Sequence, residues 1–130
     1  MLLFGHKFIK SEKFFHISDI DSIEKTPSSS NIYLEFSEDN LDIIEFLKLN
    51  EIVFGLYVKT ITEVIYASAL DASYIIVNKR LAKSAQNIAQ NYLFDAKILA
   101  HIDDEDEIEE MALLGLDGII FQEAIVKVNS

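Results

Sequence analysis

The chain has 130 residues, half of them hydrophobic, with 22 acidic against 11 basic side chains and a formal net charge of −11. That length fits a single domain with an easily built core. The charge excludes nonspecific nucleic-acid binding, which needs clustered Lys and Arg, and disfavours anionic membrane surfaces.

Without cysteine there is no disulfide, no thiolate metal site and no cysteine nucleophile. The start, Met1-Leu2-Leu3-Phe4-Gly5-His6-Lys7, lacks the basic stretch and long apolar run of a signal peptide. No apolar run approaches the roughly 20 residues of a membrane span. The expectation is a cytoplasmic protein with neither a membrane nor a nucleic-acid partner. Little proline, no tryptophan and abundant Ile, Lys and Asn fit an AT-rich bacterial genome.

Two apolar runs, Leu2–Ile9 and Phe14–Ile17, flank Lys10-Ser11-Glu12-Lys13 and predict an antiparallel β-hairpin over residues 1–18. Residues 19–30 are polar, end in Thr26-Pro27-Ser28-Ser29-Ser30, and read as a loop, the segment expected to be least ordered. From residue 31 to 130 apolar strands and amphipathic helices alternate. Ile32–Phe36 is a strand; Leu41, Ile44 and Leu47, with Ile43 beside them, mark a helix. Glu51–Val58 is a near-continuous apolar strand, and Thr60 or Thr62 caps a helix with Ile61, Val64, Ile65 and Ala69 on one face. After the strand Tyr74–Val77 comes the clearest helix, with Leu81, Ala85, Ile88, Ala89 and Tyr92 in helical spacing. Then follow the strand Lys97–Ile102, the helix Asp104–Leu114, the strand Gly118–Phe121 and a short strand within Ala124–Val128.

Strand ends near residues 36, 58, 77, 101 and 121 recur with the length of a compact βα unit. Such alternation predicts an α/β fold: the hairpin, then about five βα units in a mainly parallel sheet with right-handed crossovers. The middle strands are apolar on successive residues, so both faces are covered. A doubly wound open sheet and a half barrel both satisfy this. In a half barrel the N-terminal hairpin or a second subunit would close the inner face.

In either architecture ligands sit at the carboxyl ends of the parallel strands. Those ends carry Glu35, Lys59, Thr60, Asn78, Lys79, Arg80, His101, Asp103, Gln122 and Glu123. Asn78, Lys79 and Arg80, with Lys59 beside them, form the candidate anion site, since cations at a helix start hold phosphate or carboxylate. The alternative is an ordinary solvated loop. His101 is the only histidine near one of these strand ends, a candidate acid or base that Asp103 or Glu35 would orient, or else a hydrogen-bonded structural residue. His6 and His16 have no metal-site spacing.

Seven acids occupy the eight positions Asp103–Glu110. The spacing is not that of a calcium loop. A helix start capped by Asp103 or Asp104, with the other acids at the positive end of the dipole and Ile108, Met111 and Ala112 on the buried face, accounts for it. No glycine-rich phosphate loop follows any strand. Asn78 and Gln122 stand where a phosphorelay receiver needs its aspartate and lysine. No metal and no cofactor are implied.

Residues 60–121 resemble the later βα units of phosphate-handling TIM barrels. Thr60-Ile61-Thr62-Glu63 and Ala67 to Val77 resemble keto-deoxy-phosphogluconate aldolases, where a helix ends in a small-residue turn before a buried strand. Ala96 to His101, the acidic helix and Gly115-Leu116-Asp117-Gly118-Ile119-Ile120-Phe121 resemble the last units of glycerophosphodiester phosphodiesterases. The aldolase's strand lysine has no counterpart in Gly118–Phe121. The phosphodiesterase's His-Arg and Glu-x-Asp pairs are not met at His16-Ile17 or Glu35-Phe36-Ser37. The resemblance therefore implies a truncated relative without the family's chemistry.

Two functions remain from the sequence. One is a non-enzymatic protein acting by self-association, as a homodimer paired through Ala124–Val128, or by partner binding. The other is binding or turnover of a small phosphorylated or carboxylate metabolite at the strand ends, with Lys59, Lys79 and Arg80 as anion holders and His101 as acid or base.

Overall fold

The computed structural model describes residues 1–128; the last two positions of the predicted 31–130 repeat region lie outside the described residues. Among the described residues there are eight strands. They are β1 Leu2–Phe4, β2 Phe14–His16, β3 Asn31–Glu35, β4 Phe54–Tyr57, β5 Tyr74–Asn78, β6 Lys97–His101, β7 Gly118–Ile120 and β8 Ile125–Lys127. Four α-helices link the middle strands: α1 Leu41–Leu49, α2 Ile61–Ala69, α3 Lys79–Asn91 and α4 Asp106–Leu113. All eight strands form one sheet in the order β1-β7-β6-β5-β4-β3-β2-β8, and every pairing is parallel.

The predicted N-terminal hairpin does not form. Its two strands exist, but β1 pairs in parallel with β7, while β2 sits between β3 and β8. Residues 5–13 cross from one end of the sheet to the other instead of turning tightly. The last strand pairs with β2 within the chain and is the terminal strand on that side of the sheet. Residues 19–30 are also more ordered than a loop. Asp21–Lys25 is a 3-10 turn, and the Asp19 carboxylate accepts from the Ser22 N–H (2.8 Å) and hydroxyl (2.7 Å), with Ser22 fully buried.

Two of the four helices start on a side-chain cap, and all four stop by a shared chemistry. Thr60 and Asn78 accept from Glu63 N–H and Leu81 N–H at the starts of α2 and α3. At the helix ends, Ile52, Ala72, Phe94 and Leu116 donate their N–H groups to Leu47, Ala67, Ala89 and Met111. The residue before each of these donors, Glu51, Asp71, Leu93 and Gly115, has positive φ. This is the left-handed helix termination, repeated four times, and it clips each helix back onto the sheet.

Alternation along each strand divides the core into two layers. The outer layer packs the helix residues Ile44, Leu47, Val64, Ala67, Ala85 and Met111 against Ile32, Leu34, Leu56, Ile75, Val77, Ile98 and Ile119. The helix faces differ slightly from expectation. Val64 and Ala67 are buried while Ile65 and Ala69 are exposed, and Ala82 and Gln86 replace Tyr92 in the buried stripe of α3.

The inner layer contains no α-helix residue. Phe4, Phe14, Tyr33, Ile76, Leu99, Ile120 and Ala124 fill it. The sheet curls until Phe4 of β1 meets Phe14 of β2 at 5.1 Å between ring centroids, and both meet Tyr74 of β5, at 5.7 and 5.2 Å. This is a half-barrel curl with all helices outside, and the chain's own aromatic rings fill its inner layer. Gly55 makes room for them: a Cβ there would lie 2.8 Å from Ile76 Cδ1 and 3.3 Å from Phe14 Cε2.

Candidate functional site

Of the anion site predicted at the end of β5, two members, Asn78 and Lys79, are engaged by the protein's own groups. The Asn78 amide oxygen accepts from Leu81 N–H at 2.9 Å and caps α3. Lys79 Nζ lies 3.1 Å from Glu107 Oε2 and 3.3 Å from Glu110 Oε2. The hydrogen bonds that Lys79 donates to these carboxylates raise its pKa, and Lys79 in turn lowers that of Glu107. Arg80 and Lys59 are exposed, and the Lys59 N–H is bonded to Glu63 Oε1. The acidic run thus supplies counter-charge to α3. Its cap is also not the expected one: Glu107 Oε1, not Asp103 or Asp104, accepts from both aspartate N–H groups at 3.2 Å.

A second polar group forms where the inner layer reaches the carboxyl ends of the strands. Parallel register sets Lys127 beside His16, and His16 beside Tyr33. It sets Glu35 beside Tyr57, and Asn78 beside His101. Because register partners share a face, these residues project inward above the aromatic fill. The His16 and Tyr33 rings meet edge to face at 5.0 Å. Burial lowers the His16 pKa, Glu35 opposes that shift, and Lys127 adds to it. Tyr33 is pushed far up by burial, with Tyr57 and Glu35 contributing. His16, Tyr33, Glu35, Tyr57 and Lys127 therefore lie within electrostatic reach of one another.

This ring is rich in donors. Lys127, His16 and the Tyr33 and Tyr57 hydroxyls lie around one carboxylate, Glu35, and the Asn78 amide lies beside His101 on the neighbouring strands. His101 carries the one buried side-chain polar atom without a hydrogen-bond partner among the described residues, its Nε2. Neither Asp103 nor Glu35 reaches it. A buried polar atom without a partner costs about 1–3 kcal/mol, so such atoms concentrate where a ligand or water completes the bond.

The 5–13 segment and the β6–α4 loop flank an open cavity of about 900 Å³ lined by His6, Phe8, Ile9, Lys10, Asp103 and Glu105, among others. His6 Nε2 and Glu105 Oε1, 2.8 Å apart, tie the two loops together, and Phe8 N–H donates to His6 Nδ1 at 3.1 Å. Imidazole geometry then places the His6 proton on Nε2. Among the described residues no cluster of three or more His, Asp or Glu is placed to hold a metal ion, and no helix is long and apolar enough to cross a membrane.

Sequence reasoning picked out His101 and Glu35 and missed His16, Tyr33, Tyr57 and Lys127. Phe14-Phe15-His16 reads as half of a hairpin; only with β2 as a parallel barrel strand does His16 fall at a carboxyl end. Comparison with protein-family models and with curated proteins found no match.

Proposed function

We propose that the protein binds a small metabolite bearing a carboxylate or phosphate, held by the donor ring at the carboxyl ends of β2, β5, β6 and β8. The observation that carries this reading is the buried His101 Nε2 with no partner, beside Asn78 on the inner face. The chain's net charge of −11 opposes an incoming anion at long range. The local surplus of donors opposes that field within a few ångströms, where screening is weakest. Residues 60–121 resemble phosphate-handling barrels, in accord with phosphate as one of the two head groups. A cytoplasmic bacterial setting, as read from composition, would expose the protein to such metabolites. The proposal concerns binding and assigns no catalytic step.

Titration of acetate and of inorganic phosphate, each to about 50 mM, into protein with isotope-labelled histidine tests it. The expected result is a saturable shift of the His101 and His16 ring signals by at least one of the two anions, with a rise in melting temperature. The Lys127→Met variant should weaken that response severalfold. If neither anion moves the His101 signal, the reading is wrong.

A further inference from the structure

The amino-terminal end of the sheet has an opening of its own, about 220 Å³, where the end of α3 meets the starts of β6 and β7. Gln86, Ala89, Leu93, Phe94, Lys97 and Asp117 line it. Lys97 opens β6 and His101 closes it, so four residue steps, about 13 Å, separate this opening from the carboxyl end of the strand.

Gln86 is a polar side chain in the buried stripe of α3, only 2% exposed. Its Oε1 accepts from Asp117 N–H at 2.9 Å, which fixes the orientation of the amide. The other amide atom, Nε2, has no partner among the described residues. It is not sealed in either. His101 Nε2 is the one side-chain atom there that is both sealed and unpaired, so the Gln86 nitrogen keeps some open surface, and the space Gln86 borders is this opening. Asp117 is held from three sides: its N–H by Gln86, its carbonyl by Leu2 N–H at 2.9 Å, and its Oδ2 by Ile98 N–H at 2.9 Å. Its Oδ1 and the Lys97 ammonium have no partner among the described residues.

The tie between α3, β6 and β7 thus uses one oxygen of each side chain. A positioned donor, Gln86 Nε2, and a positioned acceptor, Asp117 Oδ1, are left over in one small space. A carboxylate there would satisfy Gln86 and Lys97 but face Asp117; a cation would satisfy Asp117 but face Lys97. A primary carboxamide carries a carbonyl acceptor and an NH2 donor on one carbon and has no net charge. Ala89, Leu93 and Phe94 offer apolar surface to a short hydrocarbon body attached to it.

We propose that this opening is a second binding site, for a primary carboxamide. The ligand's carbonyl oxygen accepts from Gln86 Nε2 and Lys97, and its NH2 donates to Asp117 Oδ1. The site shares no residue with the anion site above, and failure of either reading leaves the other standing.

Titration of propionamide, propionate and methylguanidinium, each to about 50 mM, into the full chain with isotope-labelled glutamine tests it. Gln122, beyond the far end of β7, serves as the internal reference. The expected result is a saturable shift of the Gln86 side-chain NH2 signal by propionamide, with the two charged analogues at least about tenfold weaker. Acetyl-glutamine methylamide, titrated in parallel, represents a protein side chain where propionamide represents a free amide, and the tighter of the two names the source. Asp117→Asn keeps an oxygen for Ile98 N–H and turns the free acceptor into a donor, so the preference should invert toward propionate. Lys97→Met, at an exposed position, should weaken propionamide severalfold. No saturable Gln86 shift with either amide would overturn the proposal, as would propionate binding as tightly as propionamide. A preference unchanged in Asp117→Asn would overturn it too. Circular dichroism checks that this variant folds; if it does not, undiminished propionamide affinity in Lys97→Met is the result that overturns the proposal.

Discussion

The two faces of the curled sheet are built to different rules. The outer face packs aliphatic strand residues against four helices with repeated terminations, and its buried atoms are almost all apolar. The inner face packs rings against rings, then gives way within one strand step to histidines, tyrosines, a lysine and a glutamate. Stability can be concentrated on one face and polar groups on the other because strand alternation makes them separate sets of residues. The outer set can drift among aliphatics of similar volume. The inner set is bounded by a narrow space and by the polar ring above it.

The sharpest test of that contrast is whether the inner aromatics are core in the energetic sense. Phe14 is fully buried and meets both Phe4 and Tyr74. Phe14→Ala should cost about 3–5 kcal/mol in chemical denaturation, as much as an outer-face core truncation. A cost below about 1 kcal/mol would mean that the inner face is loosely filled and that the curl is held from outside alone.

Much of the outer face was legible in the sequence, and little of the inner face. Strands at Ile32–Phe36 and Tyr74–Val77 announce themselves by continuous apolar residues, and α3 by its spacing. The helix ends were legible in principle: a buried residue, then four and five positions later a left-handed residue and an apolar one, occurs at Leu47, Ala67, Ala89 and Met111. The inner face depends on which strands are neighbours. Strands of three residues such as β1, β2 and β8 carry too little pattern to declare direction. The predicted hairpin failed because nearness in sequence favours an antiparallel partner, whereas burial of Phe4 and Phe14 on one inner face favours separate parallel partners. Within the Asn78–Arg80 group, Lys79 is engaged by a long-range contact, the approach of Glu107 and Glu110, which local reading does not include.

A smaller effect with opposite sign separates function from stability. His101→Phe removes the buried nitrogen that lacks a partner and keeps a ring in its place. Where packing accepts the larger ring, the fold should gain about 1 kcal/mol, because the desolvation penalty disappears. Anion-induced shifts of His16 should weaken in the same variant. A stabilised protein with undiminished anion response would confirm the cost of the buried nitrogen and remove His101 from the anion site.

On the outer side, Leu93 carries a comparable cost for another reason. It holds φ at 54° and is 85% exposed, so its side chain gains no packing in return for the left-handed backbone. Leu93→Gly should raise stability by up to about 1 kcal/mol, whereas the same change at a right-handed helical position would lower it. Thermal melting of the single variant decides the sign.

The smallest effect expected is the pH response of His16. Burial lowers its pKa, so the unfolded chain binds a proton more readily than the folded one. The associated stability is fully present above the ordinary value of 6.5 and is lost as pH falls below it toward the lowered folded value. Denaturation midpoints between pH 7.5 and 5 should therefore show a shallow decline that His16→Gln flattens. Glu35 opposes the shift, so Glu35→Gln should deepen the decline, while Lys127→Met should make it shallower. An anion seated in the ring acts in the direction of Glu35: it favours the imidazolium and should itself bind more tightly at pH 5.5 than at 7.5. A decline that Glu35→Gln leaves unchanged would mean that burial alone acts on His16, and the ring would no longer count as one electrostatic unit.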